Sequence, residues 1–552
     1  MAERTVGTRI MEVLAAEGVD TVSCYPNSPL IEDAAAASLR PVLCRQERVG
    51  VNIADGYARA SRGQRFGVFI MQWGPGAENA YPGVATAYAD SVPLLVLPSG
   101  YAHHRENVDR YYSPVSAYAS ICKSTQRVRS AEEVDAVMRR AVAALRHGRA
   151  GPVLVEVPND VVDLPFEGST AWTPVARSSP APDPAGVRQA VELLAGARCP
   201  LVVAGQGVLY ADATDALVAL SERLGVPVCT TLEGKGAFPE DHPHALGCGA
   251  TTMPGPVYDY LTRADVVLAV GASMMTHLMV AAVPPGKQLV HVSVDPSDFD
   301  RDYPVAVPLL ADARLALEAL LGTWEELGFS PSAHTDLAEA VEHRRDRWLS
   351  AWRPLLTSEE RPINPYRVVQ AIVEHFPSAT SIVTHDSGSP RDQLTPFYPA
   401  GTPGSYLGWG KSHGLGTGLG LAIGAKLAYP DKHCVAFVGD AAFGMTGLDL
   451  ETAVRSEAPV TVVVSNNATM AIETNPLREA HERYGARDLG GDYEAIARAL
   501  GAEGIRVRHV EELGPALEKA KALNDEGRTV LVDVHTSPLL TDFSHKRATT
   551  PG

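Results

Sequence analysis

The sequence is poor in the features that would mark a disulfide-bonded, zinc-clasped, membrane-spanning or nucleic-acid-binding protein. Its 552 residues include only seven cysteines, at positions 24, 44, 122, 199, 229, 248 and 434. The number is odd and no pair has Cys-x-x-Cys spacing, which argues against a disulfide framework and a zinc site. Basic charge is short too: 48 Lys and Arg face 65 Asp and Glu, a net charge of −17. Such a chain offers no electrostatic footprint for nucleic acid, although an acidic total still permits a local basic pocket for an anionic small molecule. No apolar run approaches the roughly 18 residues of a membrane span. The N-terminus lacks a basic segment followed by an apolar one, as a leader would have. Tandem repeats and low-complexity tails are absent. These absences leave a soluble cytoplasmic enzyme, for which 45% hydrophobic and 20% charged residues are ordinary values.

What is present is alternation. Short, continuous, β-branched runs occur at residues 66–71, 93–97, 153–157, 201–204, 265–270, 289–294, 382–384, 435–438, 460–464 and 530–534. Ala- and Leu-rich amphipathic segments such as 131–145 and 185–194 separate them. Apolar strands alternating with helices predict parallel sheets covered on both faces. Residues 169–184, rich in Ser, Pro and Ala, read as one linker, and 339–365, a charged helix running into prolines, as another. The expected architecture is α/β, with three doubly wound parallel-sheet domains at residues 1–170, 185–345 and 360–540. Each is a plausible single-domain size.

The most informative stretch is Gly439-Asp440-Ala441-Ala442-Phe443, followed by Asn466-Asn467. Each half ends an apolar run, so Asp440 and Asn467 should stand at the carboxyl edge of a parallel sheet, where such sheets bind ligands. A carboxylate and a side-chain amide oxygen suit Mg²⁺ or Ca²⁺ better than zinc, and Mg²⁺ is usually held together with substrate phosphates. Asn467 stands 27 positions after Asp440, a spacing that resembles the metal–diphosphate motif of thiamine diphosphate (ThDP) enzymes. The third motif position, usually glycine in that family, is Ala441.

That resemblance extends over nearly the whole chain. It implies that Asp440, Asn467 and the backbone carbonyl of Thr469 hold Mg²⁺. Gly439, Ala441 and Ala442 would lie along the diphosphate, with backbone donors added by Gly388 and Ser389 in the turn after residues 382–386. The glycine-rich segment 412–420 could imitate a dinucleotide fingerprint, but the strand before it is poor. By resemblance it places the carbonyl of His413 on the aminopyrimidine and Leu415 as the wedge that bends the cofactor. Glu47, ahead of Ala54-Asp55-Gly56-Tyr57-Ala58-Arg59, could merely favour a helix dipole. The resemblance makes it the activating carboxyl, which shares a proton with N1′ of the aminopyrimidine. In the family this glutamate and the metal site come from different subunits, which implies a homodimer or homotetramer with active sites at the subunit interface.

Residues 73–79 and 90–93 look like segments of the acetolactate synthase-like group, and assign Gly76 and Asn79 to the cofactor together with Pro26. A plain tight turn would need the glycines as well. His103 and His104 are either a surface pair or a proton relay like that of pyruvate decarboxylase-like enzymes. Those enzymes place an aspartate near position 28, which here is Ser28. Ile472-Glu473 matches their offset from the metal asparagine. Glu473 is then either a surface residue or an acid/base facing the reacting carbon, a role typically worth ~10²–10⁴-fold in rate.

The middle block carries Gly234–Pro243 in a form close to acetolactate synthase-like proteins, whose central sheet sometimes binds FAD or an adenine nucleotide. Flavin-bearing members have an arginine in the loop after the strand at 266–270. Residues 271–276 contain none, so the resemblance implies no FAD. Asp295 would bind a ribose hydroxyl of CoA or cap a helix. Residues 439–452 look more like 2-hydroxyacyl-CoA lyase and oxalyl-CoA decarboxylase than like acetolactate synthase. The tail at 542–552 reads as a lid, a CoA phosphate contact or a frayed end. The implied activity is a ThDP- and Mg²⁺-dependent C–C lyase or carboligase acting on a small acyl substrate, a 2-hydroxyacyl-CoA or related 2-oxo compound. The alternative is a 2-oxo acid decarboxylase or acyloin-forming carboligase without CoA.

Overall fold

The computed structural model describes residues 4–106, 108–250, 252–277, 282–329 and 336–538. Three six-stranded sheets organise the chain. The first contains β1 (Thr21–Cys24), β2 (Arg40–Leu43), β3 (Gly67–Met71), β4 (Leu94–Gly100), β5 (Ser124–Arg127) and β6 (Pro152–Pro158). The second contains β7 (Pro200–Ala204), β8 (Val228–Thr230), β9 (Ala245–Cys248), β10 (Val266–Val270), β11 (Gln288–Ser293) and β12 (Val307–Leu310). The third contains β13 (Ser381–His385), β14 (Tyr406–Leu407), β15 (His433–Gly439), β16 (Val460–Asn466), β17 (Glu503–Val507) and β18 (Val530–His535). All their pairings are parallel, as continuous apolar strands require.

Strand order fixes where each sheet opens. The first runs β2-β1-β3-β4-β6-β5 and the third runs β14-β13-β15-β16-β18-β17, the same path twice. In both, the chain leaves in one direction and returns in the other, which opens a crevice between β1 and β3 and between β13 and β15. The second runs β12-β11-β10-β7-β8-β9, with its switch between β7 and β10.

The first and third sheets meet through two helices, Glu47–Ala60 and Gly418–Ala428. A Cβ on Gly56 would lie 2.3 Å from the Leu421 carbonyl oxygen, and one on Gly424 would lie 2.0 Å from that of Ile53. Glycine at both positions lets the two backbones touch. Beside them the buried Arg59 guanidinium pairs with Asp55 and Asp90 and donates to the Gly408 carbonyl at 3.1 Å. Asp90 also accepts the backbone N–H of Gly410 and Lys411. A second staple explains the Gly234–Pro243 stretch: buried Lys235 pairs with Glu240, whose Oε2 accepts the Ala400 N–H at 2.9 Å. The boundary expected at residue 345 falls inside the helix Leu337–Leu356. That helix is no linker; Trp352 stacks among Tyr366 and Phe397 of the third domain. No helix among the described residues is long and apolar enough to cross a membrane.

Candidate active site

The third sheet gathers most of the expected residues at its switch point. β13 ends in His385 and turns through Gly388, whose φ of +87° suits a residue without Cβ. The helix Ser389–Leu394 follows. Asp386, between strand and turn, is buried. It accepts three backbone N–H groups, from Ser387 at 2.7 Å, Gly416 at 2.9 Å and Gly418 at 2.8 Å. Burial pushes its carboxyl up to about 6, against the pull of those donors and of Arg48. Asp386 thus pins the glycine-rich loop to the turn and presents His413, exposed, and Leu415, half-buried, beside it.

Asp440 follows β15 across the same crevice and is 3% exposed. Its Oδ1 accepts the Ala441 N–H at 2.9 Å. Its Oδ2 is buried and takes no hydrogen bond among the described residues. Burial raises the pKa of this carboxyl. Asn467, just past β16, accepts the Thr469 N–H on Oδ1 at 3.1 Å, and Ala468 between them is left-handed at φ +55°. Ile472 lies over the turn, its Cδ1 3.5 Å from where a Gly388 Cβ would be. Glu473 follows on the short turn Ala471–Thr474 and is half-buried. An orphaned carboxylate oxygen on Asp440, with the amide oxygen of Asn467 and the Thr469 carbonyl on the neighbouring loop, is a donor set that suits a hard divalent cation. The glycine turn opposite it suits a diphosphate.

The first sheet gathers the remaining residues at the switch between β1 and β3. Pro26 is exposed on the loop after β1, and Asn27 anchors that loop by donating to the Met71 carbonyl at 3.1 Å. Glu47 is 4% exposed and opens its helix. Asn79 Nδ2 donates to Glu47 Oε2 at 3.3 Å. A Cβ on Gly76 would meet Gln72 Cγ at 2.8 Å. Gly74, at φ +55°, is the glycine that the turn itself requires. Among the described residues two groups form, one at each crevice, and no hydrogen bond joins Glu47 to the Asp440 side.

Comparison with known proteins decides what these two groups belong to. Residues 4–119 match the family described as thiamine pyrophosphate enzyme, N-terminal TPP binding domain. Residues 187–320 match its central domain and 386–534 its C-terminal TPP binding domain. The large subunit of acetolactate synthase isozyme 3 from Escherichia coli is 30% identical over 550 residues, covering 95% of this chain and 93% of that protein. The acetolactate synthase large subunit of Parasynechococcus marenigrum is 32% identical over 95% of this chain and 86% of its own. This chain belongs to the thiamine pyrophosphate enzymes of the acetolactate synthase type. A probable 2-ketoarginine decarboxylase of Pseudomonas aeruginosa is also 32% identical, over 92% of this chain and 90% of that protein.

Against this family background the two histidines part company. His103 Nδ1 lies 3.2 Å from Asp160 Oδ2, and the same oxygen accepts the His103 backbone N–H at 2.9 Å. His103 Nε2 is buried and takes no hydrogen bond among the described residues. His104 is exposed.

The middle sheet has a cavity of about 600 Å³ at its own switch point. The 271–276 loop brings it no arginine, but Arg62, Arg146, Arg149, Arg177 and Arg314 line it from other elements. Asp295 is not free for a ribose: it accepts the Ser297 N–H at 3.0 Å as a helix cap and Arg149 Nε at 2.8 Å. Of its two readings the capping one holds. The expected CoA contact in the tail at 542–552 lies outside the described residues.

Asp386 and Asp160 escaped sequence reasoning. Asp386 carried a usable signal, since a carboxylate directly before a glycine turn is well placed to satisfy loop N–H groups. Asp160 carried none.

Proposed function

We propose that this chain is a ThDP- and Mg²⁺-dependent carboligase that removes CO₂ from a short 2-oxo acid and joins the remaining acyl unit to a second carbonyl compound. Acetolactate synthase relatives along almost the full chain support it. Acetolactate is what two pyruvate molecules give when one of them loses CO₂. The single observation that carries the reading is the buried, unbonded Oδ2 of Asp440, facing the Asn467–Thr469 loop at the switch point beside the Gly388 turn. Asp440, Asn467 and the Thr469 carbonyl would hold the cation, while Gly388, Ser389, Gly439, Ala441 and Ala442 take the diphosphate. When bound, ThDP supplies a carbon nucleophile and an electron sink beside the substrate carbonyl.

The chain's own groups do the rest. Asn79 Nδ2 steadies Glu47 Oε2 at 3.3 Å, and the Glu47 carboxyl would share a proton with the aminopyrimidine of bound ThDP. Leu415 supports the bend and His413 offers its carbonyl. Pro26, Gly76 and Asn79 border the pyrimidine side. The two groups sit at separate crevices of one chain, so a second copy completes each site. Leu43, Met445 and Leu448 are exposed near Glu47 and Asp440 in sequence, apolar surface that such a partner would cover. Asp440→Ala tests the carrying observation. ThDP affinity in the presence of Mg²⁺ should fall at least about tenfold, the low end for losing a group that orients a metal. Unchanged calorimetric binding would contradict the metal assignment.

A second reading, a 2-oxo acid decarboxylase that releases an aldehyde, is favoured by Glu473 beside Ile472 and by the free Nε2 of His103. The 2-ketoarginine decarboxylase relative points the same way. In either reading Glu473 takes and returns the proton at the reacting carbon. Glu473→Gln should slow turnover by ~10²–10⁴-fold with ThDP binding intact; a wild-type rate would place that side chain outside the pocket. A CoA thioester substrate loses support, since Asp295 is engaged as a cap.

A further inference from the structure

We propose that Asp533 is a positioning residue for the divalent cation: it fixes the loop that carries Asn467 and Thr469 and adds a second negative charge behind Asp440. The inference rests on the metal site proposed above.

Asp533 stands on β18, opposite Val464 of β16, with Asn466 opposite His535 two residues further on. It is 1% exposed. Asn466 Nδ2 donates to Asp533 Oδ1 at 2.9 Å, while the Asn466 carbonyl accepts the Thr536 N–H at 2.9 Å. Side chain and backbone of Asn466 are therefore both tied to β18 at the point where β16 gives way to the metal loop. That loop needs tying. Ala468 is left-handed, a conformation costly for a residue with a Cβ, which persists only where the surroundings over-determine it. The Leu489 N–H on the Ala468 carbonyl, at 2.9 Å, holds the other end.

The second oxygen of Asp533 points to charge as well as position. Oδ2 is buried and takes no hydrogen bond among the described residues; His535 Nε2 stands 3.7 Å away. Arg506, which reaches Asp533 only through space, is engaged by Asp492 and Glu494. Tyr493 feels the carboxylates of both Asp440 and Asp533, its phenol being pushed up to about 12 mainly by burial. Two buried carboxylates, each with one oxygen that takes no hydrogen bond among the described residues, make a costly arrangement that His535 and Arg506 offset only on the Asp533 side. A divalent cation at Asp440 supplies the counter-charge there. Outer groups that orient metal ligands typically contribute 10–100-fold in affinity.

Mn²⁺ binding with excess ThDP present, read from the electron paramagnetic resonance of free Mn²⁺, tests the proposal without turnover. Asp533→Asn keeps an acceptor for Asn466 Nδ2 but removes the charge. Its Mn²⁺ affinity should fall about 10–100-fold, with the melting temperature of the cation-free protein unchanged or raised. Wild-type affinity in the variant, whether or not it melts earlier, would overturn the proposal. Should that variant fail to fold, Asn466→Ala, which removes the tether and leaves the charge, should weaken Mn²⁺ binding; unchanged binding would overturn the proposal equally. A wild-type protein that takes up no Mn²⁺ would instead sink the metal site itself.

Discussion

Glu47→Gln should leave a folded protein that still binds ThDP and yet turns over at least about 10²-fold more slowly, within the range for a lost acid/base group. Glutamine has the shape of glutamate and keeps an oxygen for Asn79 Nδ2, which donates to Glu47 at 3.3 Å. What it lacks is a proton to share. The competing role for an acid in the first turn of a helix is a favourable contact with the helix dipole, worth about 0.3–1 kcal/mol at most exposed sites. If that were all, the variant would lose a little stability and keep its rate. Turnover at saturating ThDP, set beside the calorimetric affinity for ThDP, separates the two; full activity with normal affinity would end the activation role.

Arg59→Met should cost about 3–5 kcal/mol of stability, the usual penalty for breaking a buried ion pair on one side. Asp55 and Asp90 are both fully buried. Burial by itself would lower the Arg59 pKa, but the two carboxylates more than offset it and the net shift is upward. Without the guanidinium, both charges stay inside with only backbone donors on Asp90, and the Gly408 carbonyl loses its partner. The loosened seam is the one between the Glu47 helix and the third domain. Hydrogen exchange at the Gly410 and Lys411 amides, both bonded to Asp90, should therefore accelerate along with earlier melting. Arg188→Met, which breaks the exposed pair with Glu326, should change stability by about 1 kcal/mol or less. Equal melting of the two variants would show that the Arg59 network does not hold the domains together.

The inner strands were legible because they are buried on both faces and read as unbroken apolar runs. All six edge strands, β2, β5, β9, β12, β14 and β17, fall outside those runs, as do β1 and β8. β5, Ser124–Arg127, shows why: each of its residues is only half-buried, so polar side chains are tolerated there. The placement of Asp440 and Asn467 at one sheet edge was legible because each directly follows an inner strand. Asp160 and Asp533 were not, since each works through a partner distant in sequence, and the glycine turn after Asp386 signalled its role but not which distant amides it would hold. Asp386 bonds Gly416 and Gly418, about 30 residues on, and Asp533 bonds Asn466, 67 residues back. No local pattern records such a pairing. A Gly-Pro-Gly sequence does not say which glycine takes the left-handed turn: Gly74 does, at φ +55°, while a Cβ on Gly76 would meet Gln72.

The most direct measurement is mass-spectrometric product analysis of the purified protein with ThDP, Mg²⁺ and pyruvate. Other short 2-oxo acids and 2-hydroxyacyl-CoA thioesters would be offered in parallel. A carboligase of the acetolactate synthase type should give CO₂ together with acetolactate or its homologues, and CO₂ with a free aldehyde would select the decarboxylase reading instead. Formyl-CoA from a thioester, with no CO₂ from any 2-oxo acid, would contradict the proposed reaction.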